Sequence, residues 1–291
     1  MAKLSMGVSQ MNILTLRVAA RYQIIQKVAA RYKEKKQVRP EDGKSTNTIY
    51  LYSDRQIAHR NREKAKRLEK LSRSIKDLRA KVKKDLRSDD PETCLTALVV
   101  GLIDETYERV GSKESSEGAL NNKGEAHYGV TQWLKKHVSF KPNGAFIKYI
   151  GKSGVRQEKR VSDPVIRKAL RDAYEAAKGN DSCLFEWEGG KVTAESVNSY
   201  LSQFNDITAK DIRGLHCNNL MVDTLKRLRK DTLPKDKKER KNKLKSEFNQ
   251  ALKEVSEQIG HEANTLKTHY LIPHMQEAFE KDGTIINKLD D

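Results

Sequence analysis

The sequence of 291 residues predicts an α+β fold that is mainly helical and contains one small three-stranded antiparallel sheet. Three observations predict this fold. Apolar residues recur at spacings of three and four between residues 68 and 82, which is typical of an amphipathic helix. Asp-Pro pairs open two later apolar stretches as helix caps. Between residues 136 and 161 the pattern changes to short β-rich runs separated by glycine turns.

The N-terminal region, residues 1–44, is interpreted as a basic arm. Its first 33 residues contain no acidic side chain and carry a near-repeat, RVAARY at 17–22 and KVAARY at 27–32. An organelle transit peptide has a similar composition, but an arm that lies on DNA phosphates fits it as well. Residues 37–48 are polar and predict a loop, and residues 48–52 form a β-rich run.

Residues 45–90 are predicted to form an N-terminal DNA-clamp segment built around a long helix from Arg55 to Leu86. Its apolar stripe packs either on the body of the same chain, which we favour, or in a dimeric coiled coil. Asp90 and Pro91 then begin a catalytic domain of residues 91–291 with a buried helix. We expect this helix to run through Arg109 and to stop at Gly111.

The rest of the chain is predicted as a three-stranded meander followed by helices. The strands cover residues 137–140, 145–150 and 155 onward, with turns at 142–144 and 151–154. Further helices begin after three capping residues and end where glycine or the apolar pattern stops. They are predicted from Asp163 to Gly179, from Thr193 onward, and from Thr208 to Leu228.

The net charge of +17 and the pI near 9.6 favour a nucleic-acid partner, although a basic protein that touches anionic membranes has a similar charge. No apolar run approaches the roughly 20 residues of a membrane-spanning helix, so we expect a soluble intracellular protein. The three cysteines form no CxxC pair and predict neither a disulfide framework nor zinc. The basic residues 229–247 are interpreted as a solvated helix face or linker.

Five separated residues are candidates for chemistry: Arg109, Lys152, Arg213, His261 and Tyr270. Each has an ordinary explanation when taken alone, such as a helix-end cation or a solvated turn lysine. The Gly-Lys-Ser string around Lys152 is not a P-loop, because Phe146 stands where the motif needs glycine. His261-Glu262 does not begin an HExxH zinc motif, because position 265 is threonine.

Taken together, the order and context of these five residues resemble the small type IB DNA topoisomerases of the poxvirus-like and bacterial kind. The resemblance covers residues 48–291. It rests on six motifs: LIDETYERVG at 102–111, HYGVT at 127–131, KYIGKSG at 148–154, KDIR at 210–213, GH at 260–261 and YLIP at 270–273.

The resemblance implies the type IB topoisomerase and tyrosine recombinase catalytic fold, preceded by a reduced N-terminal segment. It implies that Tyr270 attacks a DNA phosphodiester and forms a 3′-phosphotyrosyl bond. Arg109, Arg213 and His261 would bind the phosphate oxygens, and Lys152 would protonate the leaving 5′-oxygen. No metal or other cofactor is implied. The expected partner is duplex DNA, bound by a monomer, with Tyr50, Tyr52 and Lys210 as candidate DNA contacts.

Two other functions remain open from the sequence. A tyrosine recombinase shares the arginines, the lysine hairpin and the nine-residue step from histidine to tyrosine. Recombinases typically carry histidine three residues before the second arginine, where this chain has Lys210, which favours a topoisomerase. A non-catalytic basic nucleic-acid-binding protein would match the charge, but it gives no reason for the five residue types to occur in this order.

Overall fold

The computed structural model describes residues 34–38, 47–111, 126–229 and 232–289. Most of the predicted arm of residues 1–44 therefore lies outside the described residues. The chain divides into two compact units, Met1–Glu63 and Lys64–Asp291. The predicted domain boundaries at residues 44/45 and 90/91 stay a prediction.

The described strands of the first unit form an antiparallel pair. Strand β1 covers Glu34–Val38 and strand β2 covers Asn47–Leu51, with Glu34 opposite Leu51 and Val38 opposite Asn47. Strand β2 confirms the predicted β-rich run. The prediction of a loop over residues 37–48 is wrong at both ends, because residues 37, 38, 47 and 48 belong to strands. The polar sequence of β1 gives no period-two apolar signal, and its conformation comes from pairing with β2.

Helix α1 covers Asp54–Asp85 and confirms the long amphipathic helix. Its apolar stripe is buried in the core of the second unit, as we favoured over a coiled-coil seam. The buried apolar side chains of the stripe are Leu68, Leu71, Ile75, Leu78 and Val82.

Helix α2 covers Pro91–Thr106 and begins, as predicted, with the Asp90 side chain accepting a hydrogen bond from the Thr93 backbone N–H. The predicted end at Gly111 is wrong. Tyr107 adopts the left-handed conformation with φ of 61° and ends the helix. The following residues pair instead with another segment, since Val130 N donates to Arg109 O at 2.9 Å. Arg109 therefore lies in an irregular segment beyond the helix.

The predicted three-stranded antiparallel meander is confirmed. Strands β3, β4 and β5 cover Val138–Lys141, Gly144–Ile150 and Arg156–Val161, with β4 in the centre. In register, Val138 lies opposite Ile147, and Ile150 lies opposite Arg156. Lys152 lies in the connection between β4 and β5, within a short 3₁₀ turn, Lys152–Gly154.

Two short 3₁₀ turns, Val130–Gln132 and Lys135–His137, precede β3. The other described elements are a hairpin of two two-residue strands and six α-helices. Asp163, Thr193 and Thr208 precede helices as predicted. The first of these helices ends at Ala176 rather than near Gly179. The bounds are α3 Pro164–Ala176, β6 Glu186–Trp187, β7 Gly190–Lys191, α4 Ala194–Ser202, α5 Ala209–Leu228, α6 Lys237–Ile259, α7 Ala263–His269 and α8 His274–Asp282.

Helix α5 connects the two hydrophobic clusters of the second unit. Ile212 and Leu215 of α5 pack with α1, α2 and the sheet, whereas Cys217 and Met221 pack with α6, α7 and α8. The mainly helical α+β class with one three-stranded sheet is confirmed. No helix in the described ranges is long and apolar enough to span a bilayer.

Candidate active site

Arg109 lies in the segment that follows α2 and is half-buried. The close approach of two glycines positions this segment. A Cβ atom on Gly129 would lie 2.3 Å from the Cα of Gly111, so a side chain at position 129 would push apart the chain segments around the two glycines. Gly111 itself has φ of +92°, which favours glycine. Arg109 Nη2 lies 3.0 Å from His261 Nδ1.

Arg213 lies in the second turn of α5 and is 2% exposed. Asp211 fixes the start of this helix, because its carboxylate accepts from Thr208 N at 3.0 Å. Arg213 Nη2 donates to Ile259 O at 2.7 Å. Its Nε and Nη1 have no hydrogen-bond partner among the described residues. Two buried donors of one guanidinium are therefore available to an anion.

His261 follows the C-terminal end of α6. The helix ends at Gly260, which has φ of 66°, and the His261 N–H donates to Ser256 O at 2.8 Å. Burial, followed by the charges of Arg213 and Arg109, lowers the pKa of His261 to about 3.

The contact with Arg109 also assigns the tautomer of His261. A guanidinium only donates, so Nδ1 must accept and the proton lies on Nε2. The imidazole is therefore neutral. Its Nε2 is buried and has no partner among the described residues, which makes it a third available donor.

Tyr270 lies directly after α7 and is 7% exposed. Its ring centroid lies 4.9 Å from that of His261 and 5.8 Å from Arg213 Cζ. Asn218 of α5, which is completely buried, holds the backbone of this segment. Its Nδ2 donates to Tyr270 O at 3.0 Å, and its Oδ1 accepts from Ile272 N at 2.9 Å.

Repulsion between positive charges characterises the site. Burial and then the charge of Arg213 lower the pKa of Arg109 below its usual range. The Tyr270 phenol and the Glu108 carboxylate act in the opposite direction and raise it. An anion bound between the guanidiniums would relieve this repulsion. Forked guanidinium donors with a neutral imidazole N–H suit the oxygens of one phosphate group.

The structure brings together four of the five predicted residues, Arg109, Arg213, His261 and Tyr270. Lys152 is exposed and makes no hydrogen bond or ion pair within the described part of the chain. Its predicted role as a general acid stays a prediction.

The sequence also predicts three DNA contacts, one in the second unit and two in the first. Lys210 is exposed in the first turn of α5, with Nζ 5.9 Å from the centroid of the Tyr270 ring. Tyr50 lies in β2, opposite Lys35, and the Tyr52 ring lies 4.4 Å from Arg60 Cζ. Contacts of Tyr50, Tyr52 and Lys210 with DNA stay predictions.

Sequence reasoning missed Glu108, Lys159 and Asn218. Glu108 lies inside a motif that carried the resemblance, but nothing in its neighbours indicates a buried carboxylate. Asn218 lies five residues after Arg213, and only the fold shows that it contacts the tyrosine segment. Across the described ranges, no group of three His, Cys, Asp or Glu side chains could hold a metal ion.

The second unit is thus a mainly helical domain in which a buried tyrosine lies beside two arginines and a histidine. A family model described as "Eukaryotic DNA topoisomerase I, catalytic core" matches residues 53–289. The match spans most of the chain, and the chain belongs to this family. The resemblance to type IB topoisomerases is thereby confirmed, and membership of this family supports a DNA-cleaving function.

Two solved structures are similar to the chain at 16% identity. One is the XerH site-specific recombinase bound to palindromic difH substrate in a post-cleavage complex, with a TM-score of 0.41 over 72% of this chain and 49% of that chain. The other is the XerH pre-cleavage complex with difH substrate, with a TM-score of 0.38 over 73% of this chain and 52% of that chain. The chain spans about half the length of these recombinase chains. No curated protein matches the sequence.

Proposed function

We propose that the protein is a type IB DNA topoisomerase that relaxes supercoiled duplex DNA without ATP or a metal ion. The observation that carries the proposal is a group of buried donors beside Tyr270 that have no hydrogen-bond partner within the described ranges, Arg213 Nε, Arg213 Nη1 and His261 Nε2. Buried polar groups are rarely left without hydrogen bonds, and a catalytic role is one of the reasons for which a native structure keeps such a group. These donors and the Arg109 guanidinium fit a phosphodiester.

In the proposed reaction, Tyr270 Oη attacks the scissile phosphorus and loses its proton to solvent water as the new O–P bond forms. The bond from phosphorus to the 5′-oxygen breaks, which leaves a 3′-phosphotyrosyl enzyme and a free 5′-hydroxyl end. Arg109, Arg213 and His261 donate to the non-bridging oxygens and stabilise the charge of the pentacoordinate transition state. The positive charges also stabilise the phenolate of the attacking tyrosine.

Lys152 is proposed to protonate the leaving 5′-oxygen. General acid catalysis of this kind contributes about 10²- to 10⁴-fold in rate. The exposed position of Lys152 between β4 and β5 is compatible with an approach to DNA from the hairpin. After the free strand has swivelled, its 5′-hydroxyl attacks the phosphotyrosine and the steps run in reverse. The covalent bond conserves the energy of the phosphodiester, so no nucleotide is consumed.

A duplex DNA partner is also supported by an exposed basic face on α6. Lys237, Lys241 and Lys245 recur every four residues and therefore share one face of the helix. Residues 1–44 and 45–90 are proposed to add contacts, with Tyr50 and Tyr52 among them. We propose a monomer with an intracellular, DNA-associated location.

A tyrosine recombinase would begin with the same cleavage step but would exchange strands between two duplexes. The test is relaxation of a supercoiled plasmid in EDTA without ATP, with Tyr270→Phe and the control Tyr174→Phe, whose ring packs against Phe140. We expect the unsubstituted protein and the control to relax both supercoil signs and Tyr270→Phe to relax neither. Cleavage without relaxation would favour a recombinase, and DNA binding without cleavage would favour a non-catalytic binding protein.

A further inference from the structure

Glu108 is a buried acid next to the candidate active site, and the proposed mechanism gives it no role. It precedes Arg109 in the chain and is 4% exposed. Its Oε1 lies 2.9 Å from Lys159 Nζ, and its Oε2 lies 4.0 Å from Arg213 Nη1. A buried carboxylate is costly unless cations compensate for its lost hydration, so its place between two cations is a specific arrangement.

The contacts of Glu108 join the chain segments that carry the catalytic side chains. Lys159 belongs to β5 and also donates to Gln258 O at 3.1 Å, near the end of α6. Arg213 of α5 donates to the next carbonyl, Ile259 O, at 2.7 Å. His261 follows two residues later. One carboxylate thus connects the Arg109 segment, β5, α5 and the end of α6.

The charges around Glu108 are unequal. Three positive charges, those of Arg109, Arg213 and Lys159, surround it, and the Glu108 carboxylate supplies a single negative charge to compensate them. The charge of Glu108 raises the pKa of Arg109, whereas the charge of Arg213 lowers it. Burial and then the Glu108 charge raise the pKa of Tyr149, which keeps that phenol neutral beside the carboxylate. Without Glu108, the buried Arg213, the largely buried Lys159 and the half-buried Arg109 would repel one another before any phosphate arrives.

We propose that Glu108 is a positioning residue for the two arginines. Paired with Lys159, its carboxylate holds Arg213 and the Arg109 segment in the orientation in which their available N–H groups meet the scissile phosphate. The proposal rests on the proposed function, because it concerns the cleavage step of that reaction. The alternative is that Glu108 only neutralises Lys159 and has no influence on the arginines.

Removing both charges of the pair separates the two roles. Glu108→Gln leaves Lys159 as an uncompensated buried cation and should lower the free energy of unfolding on either account. In Glu108→Gln/Lys159→Met, the surplus cation is also gone, so the stability should recover on either account. Only the positioning role predicts that cleavage stays slow in the double variant, because Arg213 has still lost its carboxylate.

The experiment measures three quantities for each variant of the full chain. These are the free energy of unfolding by denaturant, the Kd for duplex DNA with Tyr270→Phe in the background, and the single-turnover rate of covalent adduct formation on a nicked duplex. Glu247→Gln is the matched control, since Glu247 of α6 is also an acid with little exposure, 12%, and pairs with Arg229 at 3.7 Å. We expect it to lower stability without slowing cleavage.

We expect cleavage about 100-fold slower in Glu108→Gln, which is the loss that a misplacement of about 1 Å causes. The double variant should regain stability but remain at least about 10-fold slow, with an unchanged Kd. Recovery of the full cleavage rate in the double variant would overturn the proposal, as would a folded Glu108→Gln that cleaves at the unsubstituted rate. If Glu108→Gln does not fold, the double variant decides. An unsubstituted protein that forms no adduct would instead overturn the proposed function, and the positioning role with it.

Discussion

Replacement of Asn218 by alanine should damage both the stability and the cleavage step. The amide bridges the backbone on both sides of Leu271, with Nδ2 donating to Tyr270 O and Oδ1 accepting from Ile272 N. The third bond of Asn218, Nδ2 to Gly214 O at 2.7 Å, lies within α5. Alanine removes all three bonds and leaves the two groups of the tyrosine segment without partners.

The size of the effect follows from these groups. A buried donor or acceptor that loses its partner costs about 1–3 kcal/mol, so two such groups cost on the order of 3 kcal/mol when water reaches one of them. For a unit of this size, this corresponds to a fall in Tm of roughly 6–12 °C. A shift of the tyrosine by about 1 Å would slow cleavage on the order of 100-fold.

Asn219→Ala is the matched control. Asn219 is the next residue of α5, is 8% exposed, and accepts from Leu289 N at 2.9 Å, away from the tyrosine. We expect both variants to lose stability in thermal denaturation. In single-turnover cleavage well below either Tm, only Asn218→Ala should be slow. Equal cleavage rates for the two variants would refute the idea that Asn218 positions the nucleophile.

Four further predictions concern His261, the end of α6 and the basic face. Because His261 is a neutral donor, the cleavage rate should not fall as the pH rises from about 6 to about 8, and a decline with an apparent pKa near 6.5 would contradict this reading. The pKa of His261 is lower in the folded than in the unfolded state. Its contribution to stability is therefore present above about pH 6.5 and is lost as the pH falls toward about 3. Denaturant titrations of the unsubstituted protein and of His261→Asn at several pH values measure this loss. Gly260→Ala should slow cleavage because φ is +66° and the new Cβ would lie 2.2 Å from Gln157 Nε2, whereas Gly179→Ala, with 3.7 Å of clearance, should cleave normally. A triple Lys-to-Gln variant of the basic face should reduce the slope of log K against log salt by about 2–3 in the Tyr270→Phe background, and a triple variant of exposed lysines outside α6 should not. The first triple comprises Lys237, Lys241 and Lys245, and the control comprises Lys168, Lys178 and Lys191. Equal slopes for the two triples would show that α6 does not contact DNA.

The beginnings of helices were predictable because their signals are local. An aspartate or threonine cap lies within three residues of the backbone N–H groups that it serves, as at Asp90 and Asp163. The end of α2 was not predictable in this way. Tyr107 ends the helix in a conformation that a tyrosine seldom adopts, and the segment after it pairs with residues 129–131 across the chain. Strand β1 was missed for a related reason, because a polar strand is specified by its partner.

The candidate site divides in a similar way. Arg109, Arg213, His261 and Tyr270 could be found because their motifs resemble those of a known family. The residues that hold them could not, because a buried polar side chain is identified by contacts distant in sequence. Asn218 and Tyr270 are 52 positions apart, and Glu108 and Lys159 are on different elements that only the fold brings together. No local spacing distinguishes such residues from exposed ones.

The central claim, that Tyr270 becomes covalently attached to DNA, can be measured directly. The protein is reacted with a nicked duplex that traps the cleaved state, digested with trypsin, and examined by mass spectrometry. Cleavage after Lys267 and Lys281 yields a peptide of residues 268–281 in which Tyr270 is the sole tyrosine. We predict that this peptide carries nucleotide linked through a 3′-phosphate. An adduct on any other peptide, a 5′-phosphate linkage, or no adduct at all would contradict the account.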